Sequence, residues 1–544
     1  MNLKAIHNRQ RSMVLAPEAM VATSQPLAVQ VGIDILKRGG NAIDAAIAVN
    51  ATLGVVEPMS CGLGGDLFAI VWDDGSQRLY GLNGSGHSPY SLTREVFSAR
   101  GLDRIPLRSV LPWSVPGCVD GWYALHERFG RLSIADLLAP AITYAEKGFP
   151  VSPRIARAWG SAADLLREDR SSAETFLPRG SAPACGEVFV NPDLARSLRA
   201  VASGGRDAFY LGEIGEKIVA ASERLGGYLS MRDLADHEST WVEPISATYR
   251  DYEVWELPPN TQGLAALQML RVLDGFDLAG MEHNSVDYLH HLVEAKKLAY
   301  EDRARSYADP DFYDPPLARL LSDDYAASQR ERINPLRASL ELPPEPGVLR
   351  DGDTVYLTVV DGERNAVSFI QSNYYGFGSG IVPHGVGFVL QDRGALFDLD
   401  PHAANRLEPH KRPFHTIIPG FVTQGGQPVF SFGVMGGDQQ PQGQVQVLCN
   451  MIDFGMDAQE AGDAFRFRHD GSSTPVGDVM HDGGTLYLEP GIPEEVADGL
   501  RERGHNVTYK EGGYGGYQGI WIDQERNVLH GGSESRTDGC ASGY

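Results

Sequence analysis

The sequence is poor in cysteine, in positive charge and in long apolar runs, and each shortage closes off a class of function. The five cysteines, Cys61, Cys118, Cys185, Cys449 and Cys540, are scattered and odd in number. No CxxC pair occurs, which argues against a zinc ribbon or a redox dithiol, and the density is too low for a disulfide-stapled scaffold. Lys and Arg total 47 against 71 Asp and Glu, a formal net charge of -24. So acidic a chain is a poor partner for nucleic acid or for an anionic membrane surface. No apolar stretch reaches the length that spans a bilayer. The opening "MNLKAIHNRQRSMVLAPEAM" has basic residues but no apolar core of signal-peptide length. A cytoplasmic location is therefore the expectation. Familiar cofactor text is missing too. There is no Walker motif, "YGFGSG" does not follow a strand in dinucleotide context, and "GLNGSGHS" lacks the helix of a nucleophile elbow. His290 and His291 adjoin on a helix without a spaced partner, so no metal site and no cofactor are expected.

What is there is an ordinary globular balance, 42% hydrophobic and 22% charged, over 544 residues. That length suggests roughly three domains, although a large mixed fold can absorb it. The first part reads as helical. Ser24 before Pro26 looks like a helix start, Gly39-Gly40 ends that helix, and Asn41 caps a second, very apolar one through about Val55. "MSCGLGGD" reads as a tight loop and "LFAIVW" as a strand. Residues 115–240 look mostly helical, "ATYRDYEVWELP" (Ala247–Pro258) reads as one strand, and "GLAALQMLRVL" and "SVDYLHHLVEAKKLAYEDRARSYAD" as helices. From about Asn334 to Asp353 the text is rich in Pro, Gly and Asp, like a linker. After it the character changes. "TVYLTVVD" and "NAVSFIQS" read as a hairpin, and "GFVLQDRG", "TIIPGFVTQ", "PVFSFGVMGG" and "GTLYLEPG" extend a strand-rich half, with helices near 441–455 and 492–504. The close gives two more strands and a Gly-rich tail. A layered α+β fold of two stacked sheets between helices fits this order.

Thr354 stands where linker meets strand. A β-branched residue suits a strand start for that reason alone. The sharper reading is a cut before Thr354. A free N-terminal threonine carries its own base, because an α-amine with a pKa of about 7.7–8.0 can accept the hydroxyl proton near neutral pH.

The text as a whole resembles the γ-glutamyltranspeptidase family of N-terminal nucleophile hydrolases, from about Met20 to Tyr544. The resemblance rests on "MVATSQPLA", "GGNAIDAAIA", "VVEPMSCGLGGD", "DTVYLTVVD", "NAVSF", "YGFGSGIV", "KRP", "GVMGGD", "IDFGMDAQEA" and "SRTDGCASGY", in that order. It implies an αββα four-layer sandwich made from a proenzyme that cuts itself between Asp353 and Thr354. The products would be a large chain, 1–353, and a small chain, 354–544, which stay associated, as a dimer of heterodimers in one arrangement. Thr354 would be the nucleophile. Ser372 stands where the family has a hydroxyl bonded to it, though a polar strand residue facing solvent is the alternative. Gly436 and Gly437 align with the oxyanion-hole pair, and otherwise form a turn.

The glutamate clamp of the family does not match. Ser85 replaces an arginine, Tyr374 an asparagine, Leu396 an aspartate, and His415 and Thr416 a pair of serines. A buried zwitterion needs charged partners, so losing both ions points away from a strict γ-glutamyl substrate. Arg393 is either a replacement guanidinium for a carboxylate or half of an ion pair. His415 is a polar wall, a donor to the acyl group or a structural histidine. Tyr374 either lines the pocket or fills the core. The resemblance implies a hydrolase of a γ-glutamyl-type or small carboxylate-bearing amide. The alternatives are a γ-glutamyl transferase or glutathione hydrolase proper, an oxamate-type amidohydrolase, an uncut ligand-binding pseudoenzyme, and a scaffold subunit.

Overall fold

The computed structural model describes residues 11–340 and 353–544. Most of the linker expected between Asn334 and Asp353 thus lies outside the described residues. Two seven-stranded sheets form the centre. One runs in the order Cys540–Gly543, Met20–Thr23, Asp353–Val360, Ala366–Tyr374, Asp66–Asp73, Arg78–Gly84, Thr240–Val242. The other runs Val14–Ala16, Val528–Ser533, Tyr517–Asp523, Gln427–Val434, Gly420–Gln424, Tyr252–Glu256, Ile245–Tyr249. Neighbouring strands in both are antiparallel.

The central strands read as unbroken apolar runs because both of their faces are covered. Successive side chains point to opposite faces. Val355, Leu357 and Val359 join the core under one helical layer, whereas Tyr356 and Val360 join the core between the sheets. Val367 and Phe369 alternate with Ala366 and Ile370 in the same way, as do Ala69 and Val71 with Phe68 and Ile70. The Ala42–Val56 helix is buried along its whole length, as a helix apolar on all sides must be. Helices Gly263–Leu273, Val286–Ser306 and Gln439–Ile452 cover the second sheet. The result is the four-layer αββα sandwich.

The sheets are also stitched by polar side chains. Thr358 Oγ1 and Ser431 Oγ lie 2.7 Å apart, and Ser368 Oγ, 2.8 Å from the Tyr356 hydroxyl, donates to Phe432 O at 3.3 Å. A Cβ at Gly433 would fall 2.4 Å from Tyr356 Cδ2, so the tyrosine ring needs a glycine opposite it. By the same alternation Thr354 and Ser372 point into the seam between the sheets.

Several local expectations are corrected. Asn41 caps its helix with a full capping box, but the preceding helix, Pro26–Lys37, is capped by Gln25, and Ser24 bonds to Glu57 instead. Ala247–Pro258 is a hairpin: Arg250 adopts φ +54° and its guanidinium is held by Asp274, Asp453 and the Phe276 carbonyl, which fixes a turn where alternation suggested continuity. "GFVLQDRG" is irregular, because its backbone serves other loops, with Gln391 N donating to Gly64 O and Gly394 N to Pro112 O. The Gly-rich tail contributes a strand of its own, Cys540–Gly543. No helix among the described residues is long and apolar enough to cross a membrane.

Candidate active site

The hairpin that starts at Asp353 is closed by a loop in which Arg364 takes φ +69° and the Asp361 carboxylate accepts from Glu363 N and Asn365 N, both at 3.0 Å. The same carboxylate accepts from Ala42 N at 3.0 Å and so ties the hairpin to the start of the buried helix. At the other end the register shifts: Asp353 pairs with Tyr374, but Val355 pairs with Gln371. The extra residue on the second strand swings Ser372 beneath the Asp353–Thr354 peptide. Ser372 Oγ donates to the Asp353 carbonyl at 2.8 Å, accepts from Thr354 Oγ1 at 3.3 Å and accepts from Tyr374 N at 2.8 Å. Ser372 is fully buried and Thr354 is 6% exposed.

Across the seam the Gln427–Val434 strand runs into Gly436 and Gly437, with φ of +116° and +58°. These values fall in backbone territory that glycine occupies cheaply. The carbonyls of the pair accept from Gln439 N and Gln440 N, which starts the Gln439–Ile452 helix. The pair thus lies just before the N-cap of that helix, Asp438, close to the end of the dipole that favours negative charge. Thr354 and Gly436 line one cavity of about 620 Å³ with Glu57, Arg154, Arg536 and the loop Gly512–Gly516.

The expected substrate contacts are distributed unevenly. Arg393 is fully buried: Nε donates to Asp66 Oδ2 at 3.2 Å, Nη1 donates to Thr416 Oγ1 at 2.9 Å, and the Tyr374 ring covers it at 4.5 Å. His415 Nδ1 lies 3.4 Å from the same Asp66 oxygen. Burial and the nearby Arg393 and Arg412 charges push the imidazole well below its usual pKa, so it is neutral. Tyr374, with φ +79°, also faces a second cavity of about 960 Å³ shared with Leu396, Phe414 and Asp438. Tyr374, Arg393, His415 and Thr416 are thus one cluster, directly behind Ser372, whose strand partner is Asp66. Ser85 sits apart from both cavities, in a buried amide network. Its hydroxyl donates to Asn83 Oδ1 at 2.6 Å and accepts from Asn260 Nδ2 at 3.2 Å, and Asn260 O accepts from His415 N at 2.8 Å.

Three buried carboxyls near the site are displaced upward by burial: Glu57 to about 7, Asp66 to about 6 and Asp392 to about 7. Glu57 accepts from Ser24 at 2.7 Å and Ser60 at 3.0 Å, which offsets part of that rise. Glu57 and Asp66 were missed as site residues although both stand in "VVEPMSCGLGGD"; carboxylates inside an otherwise apolar, Gly-rich stretch are the signal that points to them. His290 does gain a remote partner, His505 at 2.8 Å, near Glu294. Lys297 already donates to Glu294 at 2.8 Å, so that group carries its own cation.

Comparison with known proteins gives the family. The gamma-glutamyltranspeptidase family model matches residues 28–544. The glutathione hydrolase-like YwrD proenzyme of Bacillus subtilis (strain 168) is 40% identical, covering 97% of this chain and 99% of its own. The oxamate amidohydrolase proenzyme of Klebsiella pneumoniae is 34% identical, over 97% and 99%. The crystal structure of cephalosporin acylase from Bacillus halodurans superposes with a TM-score of 0.91 at 44% identity, covering 100% of this chain and 99% of that one. With the family model matching residues 28–544 and near full-length similarity to all three, the chain belongs to the gamma-glutamyltranspeptidase family.

Proposed function

We propose that the protein is an autoprocessing amide hydrolase in which Thr354 is first the agent of its own release and then the nucleophile. The observation that carries this reading is the position of Ser372, whose hydroxyl bridges Thr354 Oγ1 and the carbonyl oxygen of Asp353. A donor on that oxygen polarises the carbonyl, and the attacking hydroxyl is its neighbour. Thr354 Oγ would add to the Asp353 carbonyl carbon. The C–N bond then breaks, the nitrogen takes the hydroxyl proton, and an ester links the two pieces. Water hydrolyses the ester, leaving an Asp353 carboxylate and a Thr354 with a free α-amine. The pieces, 1–353 and 354–544, would stay together.

In the mature enzyme the α-amine serves as base for Thr354, which attacks a substrate amide. Gly436 and Gly437 N–H groups stabilise the oxyanion, a contribution of about 2.7–4 kcal/mol for one such donor. The amine leaves and water resolves the acyl-enzyme. Hydrolysis is preferred to transfer, since no acceptor site is evident in the residues around Thr354. The relatives bear the names of a glutathione hydrolase-like enzyme, an oxamate amidohydrolase and an acylase, and these support an acyl-amide substrate without fixing which. Of the expected contacts only Tyr374 lines a cavity; Arg393, His415 and Thr416 are buried behind it and would support the site rather than meet the acyl portion.

The test is a denaturing gel together with a panel of γ-glutamyl anilide, glutathione, oxamate and glutaryl anilide. Two bands and turnover of an amide support the reading. One persistent full-length band, with no turnover, rejects it in favour of an uncut ligand-binding protein. Turnover of γ-glutamyl anilide far above the others would favour a glutathione hydrolase proper.

A further inference from the structure

We infer that Asp66 is a positioning residue for the mature nucleophile: once the Asp353–Thr354 bond is cut, Ser372 turns its hydroxyl hydrogen from the Asp353 carbonyl to the Asp66 carboxylate. This rests on the amide-hydrolase reading and adds a third residue to the Thr354–Ser372 pair. In the uncut chain the Ser372 hydroxyl is fully used. A serine hydroxyl offers one donor and two acceptor lone pairs. Its hydrogen goes to Asp353 O, and its oxygen accepts from Thr354 Oγ1 and Tyr374 N. The first of these bonds is the one that maturation removes, because its acceptor belongs to the peptide that breaks. The carbonyl oxygen of an incoming amide is directed to the Gly436 and Gly437 N–H groups instead. Ser372 is fully buried, so its hydrogen would then be a buried donor without an acceptor, which costs free energy.

Asp66 is placed to accept it. Ser372 stands directly opposite Asp66 in register, as Ile370 does to Phe68 and Ser368 to Ile70. Ile370, Phe68 and Ile70 all join the core between the sheets, so by alternation Ser372 and Asp66 share that face. Thr354 shares it with Tyr356, and the three polar side chains make a row across adjacent strands. The Cβ atoms of directly opposite residues on one face lie about 4.5–5.5 Å apart, within reach of a hydrogen bond from serine to carboxylate. Asp66 is fully buried and half used. Oδ2 accepts from Arg393 Nε at 3.2 Å and lies 3.4 Å from His415 Nδ1, whereas Oδ1 has no hydrogen-bond partner among the described residues. Burial raises its pKa to about 6 and Arg393 offsets part of that rise, so near neutral pH it is a carboxylate and can only accept. With its hydrogen committed to Asp66, the Ser372 oxygen meets Thr354 as an acceptor alone, which holds the threonine side chain in one rotamer for attack.

The test has two arms. A crystal structure of the processed wild type should show Ser372 Oγ within hydrogen-bond distance of Asp66 Oδ1, about 3.2 Å or less. A longer separation overturns the inference. The second arm compares two double variants on the panel of γ-glutamyl anilide, glutathione, oxamate and glutaryl anilide. Asp66→Ala with Arg393→Met removes the acceptor and strands no charge, and Asp66→Asn with Arg393→Met keeps an amide oxygen that can accept. Both should cut themselves into two bands, which also shows that they fold, because in the uncut chain Ser372 still has the Asp353 carbonyl. The Ala variant should then show kcat about tenfold or more below wild type with KM within about threefold, as for an interaction made in the transition state, and the Asn variant should lie between. Equal kcat in the two double variants, or wild-type kcat in the Ala variant, marks Asp66 as merely structural and overturns the inference. Processed wild type that shows the Ser372–Asp66 bond but turns over nothing in the panel rejects the hydrolase reading alone.

Discussion

Ser372 Oγ donates to the carbonyl oxygen of Asp353 at 2.8 Å from a strand position directly opposite Asp66. This one bond joins the peptide expected to break to the most buried polar cluster of the site. Removing the hydroxyl with Ser372→Ala should slow self-cleavage about a hundredfold, near the lower size of a single oxyanion donor. Ser372→Thr should restore it. The ratio of full-length to cut chain over time on a denaturing gel reads both.

Thr354→Ala should leave one chain of 59.1 kDa at any incubation time. Wild type should give pieces of 353 and 191 residues, which together make the 544 of the chain. Mass spectrometry of the smaller piece should find threonine at its N-terminus. Any other first residue displaces the proposed nucleophile.

Gly436→Ala tests the oxyanion pair. Its φ of +116° is one that side chains rarely adopt, and a Cβ there would lie 3.2 Å from Gly515 Cα. The variant should keep its secondary structure by circular dichroism while kcat falls about a hundredfold, the cost of one misplaced donor. Unchanged kcat would remove Gly436 from the site.

Glu57 gives stability a pH dependence whose sign is fixed. Its pKa is 4.5 in the unfolded chain and about 7 in the fold. Between those values the folded state holds a proton that the unfolded chain has released, so stability falls as pH rises through this window and levels off above it. The slope is at most about 1.4 kcal/mol per pH unit for one group. Glu57→Gln should therefore gain stability relative to wild type as pH is raised from 4.5 to 7. Urea midpoints for the two proteins, compared pH by pH, isolate this group from Asp66 and Asp392, which shift the same way.

Asp66→Asn should destabilise strongly. It would leave the buried Arg393 guanidinium facing an amide, and losing one partner of a buried ion pair costs about 3–5 kcal/mol. Adding Arg393→Met should recover most of the loss, because an apolar replacement of the pair removes the stranded charge. Thermal midpoints of the two variants decide this.

The hairpin that carries Thr354, most of the other strands and the buried helix were legible because local alternation, a capping asparagine and family text converge on them. The hairpin at Tyr249–Tyr252 was not, since Arg250 bends there only with help from Asp274 and Asp453, which come from other parts of the chain. Arg393 shows the same limit. Sequence marked it as a cation near the site, but its partner Asp66 lies 327 residues away. Whether a guanidinium is taken or open depends on such distant neighbours.

The strand order holds one more consequence. Met20–Thr23 lies between Cys540–Gly543 and Asp353–Val360, so a strand from before the scissile peptide is zipped on both edges to strands from after it. A cut before Thr354 would sever the covalent thread without freeing either half, because separating them would mean tearing the middle of a sheet. Assembly would then precede the cut, and each molecule would be armed once, from within.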